Sequence, residues 1–331
     1  MCDVSIDRPL VSICVPAYNA EHWLADALES AMRQTHSEFE LVVADNSSTD
    51  ATVEIARSFD DPRVRVETST RMISAVANHN RAIRLSRGLF VKFLHADDML
   101  LPRCVEEMVS LALEDPRIAL VFAPRQVLLE PGTDAEWAEK FGRPHERFAR
   151  LERINEGRDL FDELLSAGFE ENWIGEPSAV LLRRAPLEHV GLFNERLFQI
   201  ADLELWARLA IGYRVGFIDD VLSVYRHHEQ SGTAQNARMK RDWLDTMWLL
   251  EGLLEQPSLT PEEQRELLRL RRLTLRRALR SQASRVVHGR WSADLASYLA
   301  YRARVITADR SRAPASVEEV DGAEVGSPPK R

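Results

Sequence analysis

The chain has few of the residues that define several large classes of protein. It contains three cysteines, Cys2, Cys14 and Cys104, with neither a CxxC pair nor the Cys/His spacing of a zinc site. This argues against a disulfide framework and fits a reducing cytosol, so we expect a cytoplasmic protein. No stretch approaches 18 uninterrupted apolar residues, so a membrane-spanning helix is not expected. The N-terminus lacks a basic region followed by an apolar stretch, so no signal peptide is expected.

The net charge of −9 is distributed unevenly over the 331 residues. Residues 231–331 carry 18 Lys and Arg against 13 Asp and Glu, whereas the first 230 residues carry 25 against 39. A region this acidic is a poor partner for nucleic acid, so we expect no nucleic-acid binding. A diphosphate ligand on this region would require a divalent cation to offset the repulsion between like charges.

The first 125 residues alternate between apolar runs and helical patterns. This order predicts a mainly parallel sheet with helices on both faces, in which ligands bind beyond the carboxyl ends of the strands. The predicted strands are 10–16, 40–44, 64–67, 89–94 and 118–123. The predicted helices between them are 20–34, 49–59, 74–86 and 101–114.

The pattern becomes less regular after residue 124 and purely helical after residue 239. The predicted helices are 159–167, 200–211, 239–255, 261–290 and 293–306, and the predicted strands are 178–183, 214–218 and 222–226. We therefore expect an α/β domain over 1–235 and a helical appendage over 236–310. Residues 311–331 lack an apolar face and are expected to form a disordered tail.

Polar residues follow the first two predicted strands. Pro16, Ala17, Tyr18 and Asn19 end the first strand, and Asp45 ends the second. The Asp45 carboxylate could accept a hydrogen bond from a nucleobase N–H, with the first-strand residues supplying backbone groups to the same base. Alternatively, Asp45 caps the next helix or forms an Asx turn.

Two adjacent carboxylates, Asp97 and Asp98, follow the strand over 89–94. Neighbouring carboxylates repel one another unless water or a cation separates their charges. One interpretation is a site for Mg²⁺ or Mn²⁺ with few protein oxygens, the remaining ligands coming from phosphate and water. The alternative is a solvated turn that precedes the next helix.

Asp202 is placed in the first turn of the helix over 200–211, on the same face as Leu205 and Trp206. An inward carboxylate needs a partner or a function because burial of an unpaired charge is costly. Asp202 is a candidate general base, and a helix-dipole or capping interaction is the alternative. Glu204 is expected to point elsewhere, with Arg208 as its partner on the surface.

Three further residues are candidates for the site. His228 could complete a metal site or contact phosphate, and a structural histidine is the alternative. Trp173 and Glu176 precede a predicted strand and could contact sugar, although a tryptophan in the core is the simpler expectation.

Together these motifs resemble those of the large inverting glycosyltransferase family 2. The stretches that carry the resemblance are 11–19, 39–50, 80–98, 191–195, 202–209 and 225–231. The resemblance covers about residues 9–235 and implies the GT-A fold, a Rossmann-like mixed sheet flanked by helices. The chain departs from the usual pattern at His95, where Asp is common, at Ala201, where an acidic residue is common, and at 71–74, where a Gly-rich turn is common.

The resemblance also implies roles for the residues named above. Pro16, Ala17, Tyr18, Asn19 and Asp45 would hold the nucleoside, Asp97 would lie near the ribose, and Asp98 would be the principal metal ligand. Asp202 would be the catalytic base.

The implied reaction moves a sugar from a nucleotide-diphosphate donor, UDP-linked by resemblance, to a hydroxyl of a saccharide or lipid-linked acceptor. It proceeds by a single inverting displacement with Mn²⁺ or Mg²⁺, as in polysaccharide synthesis.

The C-terminal region has seven arginines between residues 264 and 280, interleaved with leucines. They could be the solvated face of a helix packed on the domain. They could instead contact an anionic surface at the cytoplasmic face of a membrane, or the helices could mediate homo-oligomerisation.

Two other functions are considered. His95 and Ala201 would suit a catalytically silent protein that binds nucleotide sugars or acts as a scaffold. The sequence argues against a nucleotidyltransferase, because such an enzyme usually carries a Gly-rich basic loop after its first strand and Pro16–Ala20 is not such a loop.

Overall fold

The structure, a computed structural model, describes residues 10–131, 133, 142–229, 242–287 and 296–303. The chain divides into two compact units, Met1–Ala278 and Leu279–Arg331. The expected boundaries at residues 235 and 310 stay predictions, and the expected disordered tail over 311–331 lies outside the described residues. In the part of the chain that is described, no helix has the length and apolar character needed to cross a membrane.

The strands form in runs rich in β-branched and aromatic residues, and turns separate these runs. They are β1 Val11–Ala17, β2 Phe39–Asp45, β3 Val64–Thr68, β4 Phe90–Phe93, β5 Met99–Leu100, β6 Ile118–Phe122, β7 Arg125–Leu129, β8 Ile154–Glu156, β9 Val180–Arg183, β10 Arg214–Phe217 and β11 Ser223–His227.

The helices follow the 3.6-residue spacing of apolar positions. They are α1 Leu24–Met32, α2 Thr52–Arg57, α3 Ala75–Leu85, α4 Cys104–Glu114, α5 Gly157–Ser166, α6 Arg184–Val190, α7 Ala201–Gly212, α8 Asp242–Leu254 and α9 Pro261–Val287. Short 3-10 helices cover Pro144–Arg147 and Pro177–Ala179, and residues 296–303 are helical.

The described strands form a large sheet in the order β3-β2-β1-β4-β9-β6-β10-β8 and a small sheet in the order β5-β11-β7. The first four strands of the large sheet are parallel, and β9 is inserted antiparallel between β4 and β6. The carboxyl ends of β2, β1 and β4 therefore share one edge of the sheet. The register pairs Ala17 with Asp45 at that edge.

Apolar clusters cover both faces of the large sheet. One contains Leu28 of α1 and Met108 of α4, and the other contains Phe161 of α5 and Trp206 of α7. Complete burial of such side chains contributes about 1.5 to 3 kcal/mol each. The helices packed on its two faces hold the sheet between them, and loops form the carboxyl edge of the sheet.

The predicted α/β architecture with a mainly parallel sheet is confirmed. Helix α1 begins four residues later than predicted because Asn19 adopts a left-handed conformation, φ 47°, and residues 21–23 form a turn. The sequence analysis missed β5, β7, β8 and α6. Strands β5 and β8 have two and three residues, too few to show a period.

Candidate functional site

The loops that follow β1 and β2 are tied together by hydrogen bonds. The Asn19 N–H donates to Ser48 Oγ at 2.9 Å, and the Thr49 N–H donates to Asn19 Oδ1 at 2.9 Å. Ser47 adopts a left-handed conformation, φ 65°, which turns this loop toward β1. Between the two loops Tyr18 remains 49% exposed. An exposed ring at the carboxyl edge of the sheet offers a flat surface to a planar ligand.

Asp45 is buried at the end of β2 and accepts backbone hydrogen bonds from the residues that follow it. The N–H groups of Ser47 and Ser48 donate to its carboxylate at 3.2 and 3.3 Å. These contacts are those of an Asx turn, the structural alternative for this residue. Contact with a nucleobase stays a prediction for Asp45, and so do the nucleoside contacts of Pro16, Ala17, Tyr18 and Asn19.

Strand β11 brings two basic side chains to the Asp97–Asp98 pair. His228, one residue beyond β11, contacts Asp97 Oδ2 through Nε2 at 3.0 Å. The Arg226 N–H donates to Asp98 Oδ1 at 3.0 Å, and Arg226 Nε donates to the Asp97 carbonyl oxygen at 3.0 Å. Burial opposes ionisation of Asp97, yet the bond from His228 and the charge of His95 hold its pKa below the usual range.

Asp98 is 1% exposed and has one oxygen without a hydrogen bond among the described residues. That oxygen, Oδ2, faces His95 Nδ1 at 3.6 Å, which is beyond hydrogen-bond distance. Ligand atoms of His95, Asp97 and Asp98 all lie within 4.8 Å of one another. Two carboxylates and one imidazole fit a divalent cation, and a buried oxygen without a partner is the kind of group that a cation satisfies.

His95 is held from both sides. Its N–H donates to Ser178 Oγ at 3.0 Å, and its Nε2 lies 3.0 Å from His79 Nε2. Burial opposes a charge on His95, but the neighbouring Asp98 carboxylate raises its pKa. Burial lowers the pKa of His79 to about 3, so the His79 ring is neutral.

Lys92 on β4 is fully buried behind the acidic pair. Its Nζ donates to the carbonyl oxygens of Ser178 and Val180, which links β4 to the start of β9. Burial lowers the pKa of Lys92, and the carboxylates of Glu176 and Asp98 partly offset this effect. Lys92 therefore fixes the 3-10 helix that follows Glu176 against the strand that precedes Asp98.

Asp202 lies in the first turn of α7, as predicted, and is held by two donors. The Leu203 N–H donates to Oδ1 at 2.7 Å, and Asn172 Nδ2 donates to Oδ2 at 3.0 Å. Burial raises the pKa of Asp202 to about 7, and the negative charge of Glu176 adds to the effect. A carboxyl that titrates near neutrality suits a general base. A displacement of this kind needs only an aspartate with its usual pKa, so the raised pKa of Asp202 is an additional feature of the site.

Glu176 connects Asp202 with the acidic pair. Its Oε2 forms an ion pair with Arg125 Nε at 2.7 Å, and its buried Oε1 has no hydrogen bond among the described residues. Burial raises the pKa of Glu176, the charge of Arg125 opposes the rise, and the charge of Asp98 adds to it. The charges of Asp98, Glu176 and Asp202 therefore act within one region of the structure.

Trp173 packs against the core. Its ring is edge-on to Phe148, with the ring centroids 5.2 Å apart, and it is partly buried. Contact with sugar stays a prediction for Trp173 and for Glu176.

The expected surface location of the Glu204–Arg208 pair is wrong. The two side chains form an ion pair at 2.8 Å but are 1% and 5% exposed. Arg208 also donates to the carbonyl oxygens of Val190, Gly191 and Leu192, at the start of the family-like stretch 191–195. Helix α8 covers Glu204 at Gly252, where any side chain would collide with the Glu204 carboxylate. The helical pattern of α7 could not reveal that both of its faces are buried.

A cavity of about 940 Å³ adjoins this region through Arg125, the partner of Glu176. Its lining comes from β7, the 3-10 helix over Pro144–Arg147 and the loop before β11. Because Arg125 belongs to β7, the cavity lies beside the small sheet.

The structure thus places Asp97, Asp98, His228, Glu176 and Asp202 around one region. Asp45 and the residues after β1 lie along the same edge of the sheet. Sequence analysis missed His79, Lys92, Asn172, Ser178 and Arg226 as site residues. Their partners are remote in sequence, and a single histidine or asparagine has no pattern that marks it.

Comparison with known proteins finds a family and several relatives. The profile described as Glycosyl transferase family 2 matches residues 12–191. An uncharacterized protein of Mycobacterium tuberculosis (strain CDC 1551 / Oshkosh) is 35% identical over 250 residues, which cover 76% of this chain and 77% of the relative. The Escherichia coli protein named UDP-Glc:alpha-D-GlcNAc-diphosphoundecaprenol beta-1,3-glucosyltransferase WfgD is 34% identical over 110 residues, 33% of this chain and 44% of that protein.

A solved structure has a similar fold. Staphylococcus aureus TarS 1-349 in complex with UDP-GlcNAc aligns with a TM-score of 0.60 at 18% identity. The alignment covers 81% of this chain and 72% of TarS 1-349. The large, mostly parallel sheet flanked by helices is thus a known architecture.

Proposed function

The chain belongs to glycosyl transferase family 2 and has the GT-A fold, and we propose that it is a metal-dependent inverting enzyme that uses a UDP-sugar. The observation that carries the proposal is the geometry of the site: Asn172 and the Leu203 N–H hold the buried Asp202 carboxyl, and the charge of Glu176 links it with Asp98. A base and a cation site in one region can act on the two ends of a displaced bond.

The nucleoside is proposed to bind along the loops after β1 and β2. Pro16, Ala17, Tyr18, Asn19 and Asp45 would hold it, with Asp45 directed at the base and Asp97 near the ribose. The hydrogen bonds that join the two loops support this assignment because a preformed loop costs little ordering when a ligand binds. The Escherichia coli relative is named for a UDP-linked glucose donor, which supports a UDP-sugar here.

Asp98 is proposed as the principal ligand of Mn²⁺ or Mg²⁺. Its Oδ2, which has no hydrogen bond among the described residues, supports this role. His228 is the other predicted ligand, and because its Nε2 contacts Asp97 Oδ2 at 3.0 Å, a role for it at the metal stays a prediction. When bound, the cation would offset the negative charge that develops on the departing nucleoside diphosphate.

The proposed chemistry is a single displacement at the anomeric carbon. The acceptor hydroxyl oxygen forms a bond to that carbon while the bond from the carbon to the diphosphate oxygen breaks. The electron pair of the broken bond leaves with the nucleoside diphosphate, and the hydroxyl proton passes to the Asp202 carboxylate. Asn172 and the Leu203 N–H would hold that carboxylate in position during the transfer.

The acceptor is proposed to be a saccharide or a lipid-linked saccharide. The name of the Escherichia coli relative specifies a diphosphoundecaprenol-linked sugar, which supports this class. Glu176 and Trp173 are the proposed sugar contacts, and the buried Oε1 of Glu176, which has no hydrogen bond in the described part of the chain, could accept from a sugar hydroxyl. Action at the cytoplasmic face of a membrane and self-association through the C-terminal helices stay predictions.

The test is a screen of nucleotide sugars by thermal shift, with and without Mn²⁺, followed by assays of nucleotide release with saccharide acceptors. We expect one donor to raise the melting temperature only when Mn²⁺ is present, because ligands that bind the native state stabilise it. An Asp202→Asn variant should keep this stabilisation and lose turnover. Full activity in an Asp98→Ala variant would refute the metal-dependent mechanism. Binding without turnover across many acceptors would favour a silent nucleotide-sugar-binding protein.

A further inference from the structure

His79 fixes the proton positions of the histidine beside Asp98. Its Nδ1 lies 2.8 Å from the Ala75 carbonyl oxygen, which can only accept a hydrogen bond. The proton of His79 therefore sits on Nδ1. The ring packs against Phe93 and Phe193, with centroid distances of 5.2 and 5.7 Å, and this apolar contact favours a neutral ring. His79 Nε2 consequently presents a lone pair.

That lone pair determines the orientation of His95. The two Nε2 atoms are 3.0 Å apart, so one of them must carry a proton, and this is His95 Nε2. The second ring nitrogen, Nδ1, is therefore the one left for a cation, which would take the place of any proton that the Asp98 carboxylate favours there. Nδ1 faces Asp98 Oδ2 at 3.6 Å, so the two atoms point at the same space.

The separation of these two atoms suits a cation between them. A charge-assisted N–H···O bond would bring them to about 2.7 to 2.9 Å. Metal–ligand distances of about 2.1 Å would instead hold a nitrogen and an oxygen on one ion at a separation of this order. The Asp98 side chain is fully buried and Oδ2 has no other partner among the described residues, whereas the His95 side chain is 25% exposed. The site is thus open to a ligand on the His95 side.

We propose that His95 Nδ1 and Asp98 Oδ2 together bind the cation, and that His79 is the positioning residue that directs the His95 lone pair toward it. The inference rests on the proposed function and concerns the composition of its metal site. An imidazole in place of a carboxylate favours transition-metal ions, so the site should prefer Mn²⁺ or Co²⁺ over Mg²⁺.

His228 is the competing nitrogen donor. Its Nε2 is engaged by Asp97 Oδ2, and its ring lies against Trp23 with the centroids 4.0 Å apart. Its Nδ1 is buried and has no hydrogen bond among the described residues. Among the described residues, the ligand atoms that lie within 4.8 Å of one another come from His95, Asp97 and Asp98 and not from His228, which favours His95 as the nitrogen ligand. The two histidines make different predictions for a nitrogen signal.

The first experiment records the ¹⁴N modulation in pulsed electron paramagnetic resonance spectra of Mn²⁺ bound to the full chain in the presence of UDP. We expect a directly coordinated nitrogen in the wild type and in His228→Asn, and no such nitrogen in His95→Asp. The His95→Asp variant should still bind Mn²⁺. The ratio of its affinity for Mn²⁺ to its affinity for Mg²⁺ should be smaller than in the wild type. A nitrogen signal that persists in His95→Asp and disappears in His228→Asn would overturn the proposal.

The second experiment tests the positioning residue. His79→Phe preserves the aromatic packing but removes the acceptor for His95, and we expect Mn²⁺ binding to weaken about 10-fold or more. The matched control is His189→Phe, because His189 makes the same bond to the carbonyl oxygen four residues earlier, Ala185, at 3.1 Å. Equal Mn²⁺ affinity and an unchanged ¹⁴N signal in His79→Phe would overturn the role of His79.

Failure of the inference is distinguishable from failure of the proposed function. If UDP and Mn²⁺ bind together without a nitrogen from His95, the glycosyltransferase assignment stands and the ligand proposal is refuted. If neither UDP nor Mn²⁺ binds the folded wild-type chain, both are refuted. Melting temperatures of all variants in EDTA report whether each chain is folded.

Discussion

Glu40 and Asp98 are both buried carboxylates of the same sheet, but their surroundings are opposite. Glu40 lies on β2 near the amino edge and accepts from Ser12 Oγ at 2.7 Å and from the Arg87 N–H at 2.6 Å. Arg87 and Arg65 form ion pairs with it. Asp98, at the carboxyl edge, accepts one backbone bond and keeps a buried oxygen without a donor among the described residues.

The two sites also differ in their protonation. Burial favours the neutral form of Glu40, yet its hydrogen-bond donors and the neighbouring arginines keep its pKa lowered. At the other edge, burial raises the pKa values of Glu176 and Asp202. A buried carboxylate whose hydrogen bonds and ion pairs keep its pKa low stabilises the fold. A buried carboxyl whose pKa is raised, or whose oxygen lacks a donor, costs stability when ionised and marks a candidate site for a ligand or a proton.

The largest expected effect is on activity at the carboxyl edge. Asp98→Asn removes a charge from the proposed cation site, and we expect the rate of sugar transfer with Mn²⁺ to fall about 100-fold or more, because the cation stabilises the leaving diphosphate by several kcal/mol. Initial rates measure this effect. The melting temperature should stay the same or rise, because an unpaired buried charge is removed. A large drop in stability would show that Asp98 is structural, like Glu40.

The second effect is on stability at the amino edge. Glu40→Ala leaves the Ser12 hydroxyl without its acceptor, weakens the bonding of the Arg87 N–H and removes two ion pairs, and we expect a loss of about 2 to 3 kcal/mol in the free energy of unfolding. Urea denaturation measures it, with the exposed Glu38→Ala as the control. Because the pKa of Glu40 is lowered, the wild-type advantage is present at neutral pH and is lost as the pH falls through that pKa. Activity per folded molecule should be unchanged.

The third effect is the pH dependence of stability at Asp202. Its folded pKa of about 7 lies above the unfolded value, so the carboxyl favours the folded state at low pH, and this contribution is lost as the pH rises through about 7. We therefore expect Asp202→Asn to be more stable than the wild type at pH 8 by more than about 1.4 kcal/mol, the value of one pKa unit, because the pKa is raised by more than one unit. No gain is expected at pH 4. Thermal unfolding at the two pH values tests this. An equal difference at both would contradict the raised pKa.

The smallest effect is a shift of the pH–rate profile. Asn172→Asp keeps the acceptor for the Ile174 and Gly175 N–H groups but replaces the donor to Asp202 with a carboxylate. The midpoint of the rise in kcat with pH should move upward by about one unit, because a like charge disfavours ionisation of the base.

The matched control for this shift is Asn155→Asp. Asn155 makes a similar turn, with Oδ1 accepting from the Glu152 N–H and Nδ2 donating to the Val215 carbonyl oxygen. This variant should leave the midpoint in place. A shift of equal size in both variants would assign the effect to general destabilisation.

Much of the fold followed from the sequence because the main strands are apolar throughout. Strand β2 is buried at every position, as the run of apolar residues predicted. The polar residues after β1, β2 and β4 were correctly placed at one edge, since parallel strands end together. Helix α7 was predicted from one apolar face, and the burial of its opposite face under α8 depends on a helix that begins more than thirty residues later.

The candidate site was predictable only where residues stand in a pattern. Asp97, Asp98 and Asp202 follow apolar runs or begin a helix, so their positions could be read from the sequence. Asn172 and His79 contribute through partners 30 and 16 residues away, and nothing local marks them. The raised pKa of Asp202 depends on how Glu176 and α7 pack together, which no linear pattern encodes.

The bonds between Asn19 and residues 48 and 49 have a consequence for how such a protein can diverge. A substitution in either loop alters the shape of the other, so single changes there should be non-additive when they are combined. Proteins that evolve from this chain would then change their nucleotide preference through paired substitutions, one in each loop. Screens of isolated point mutants would underestimate how readily that change can occur.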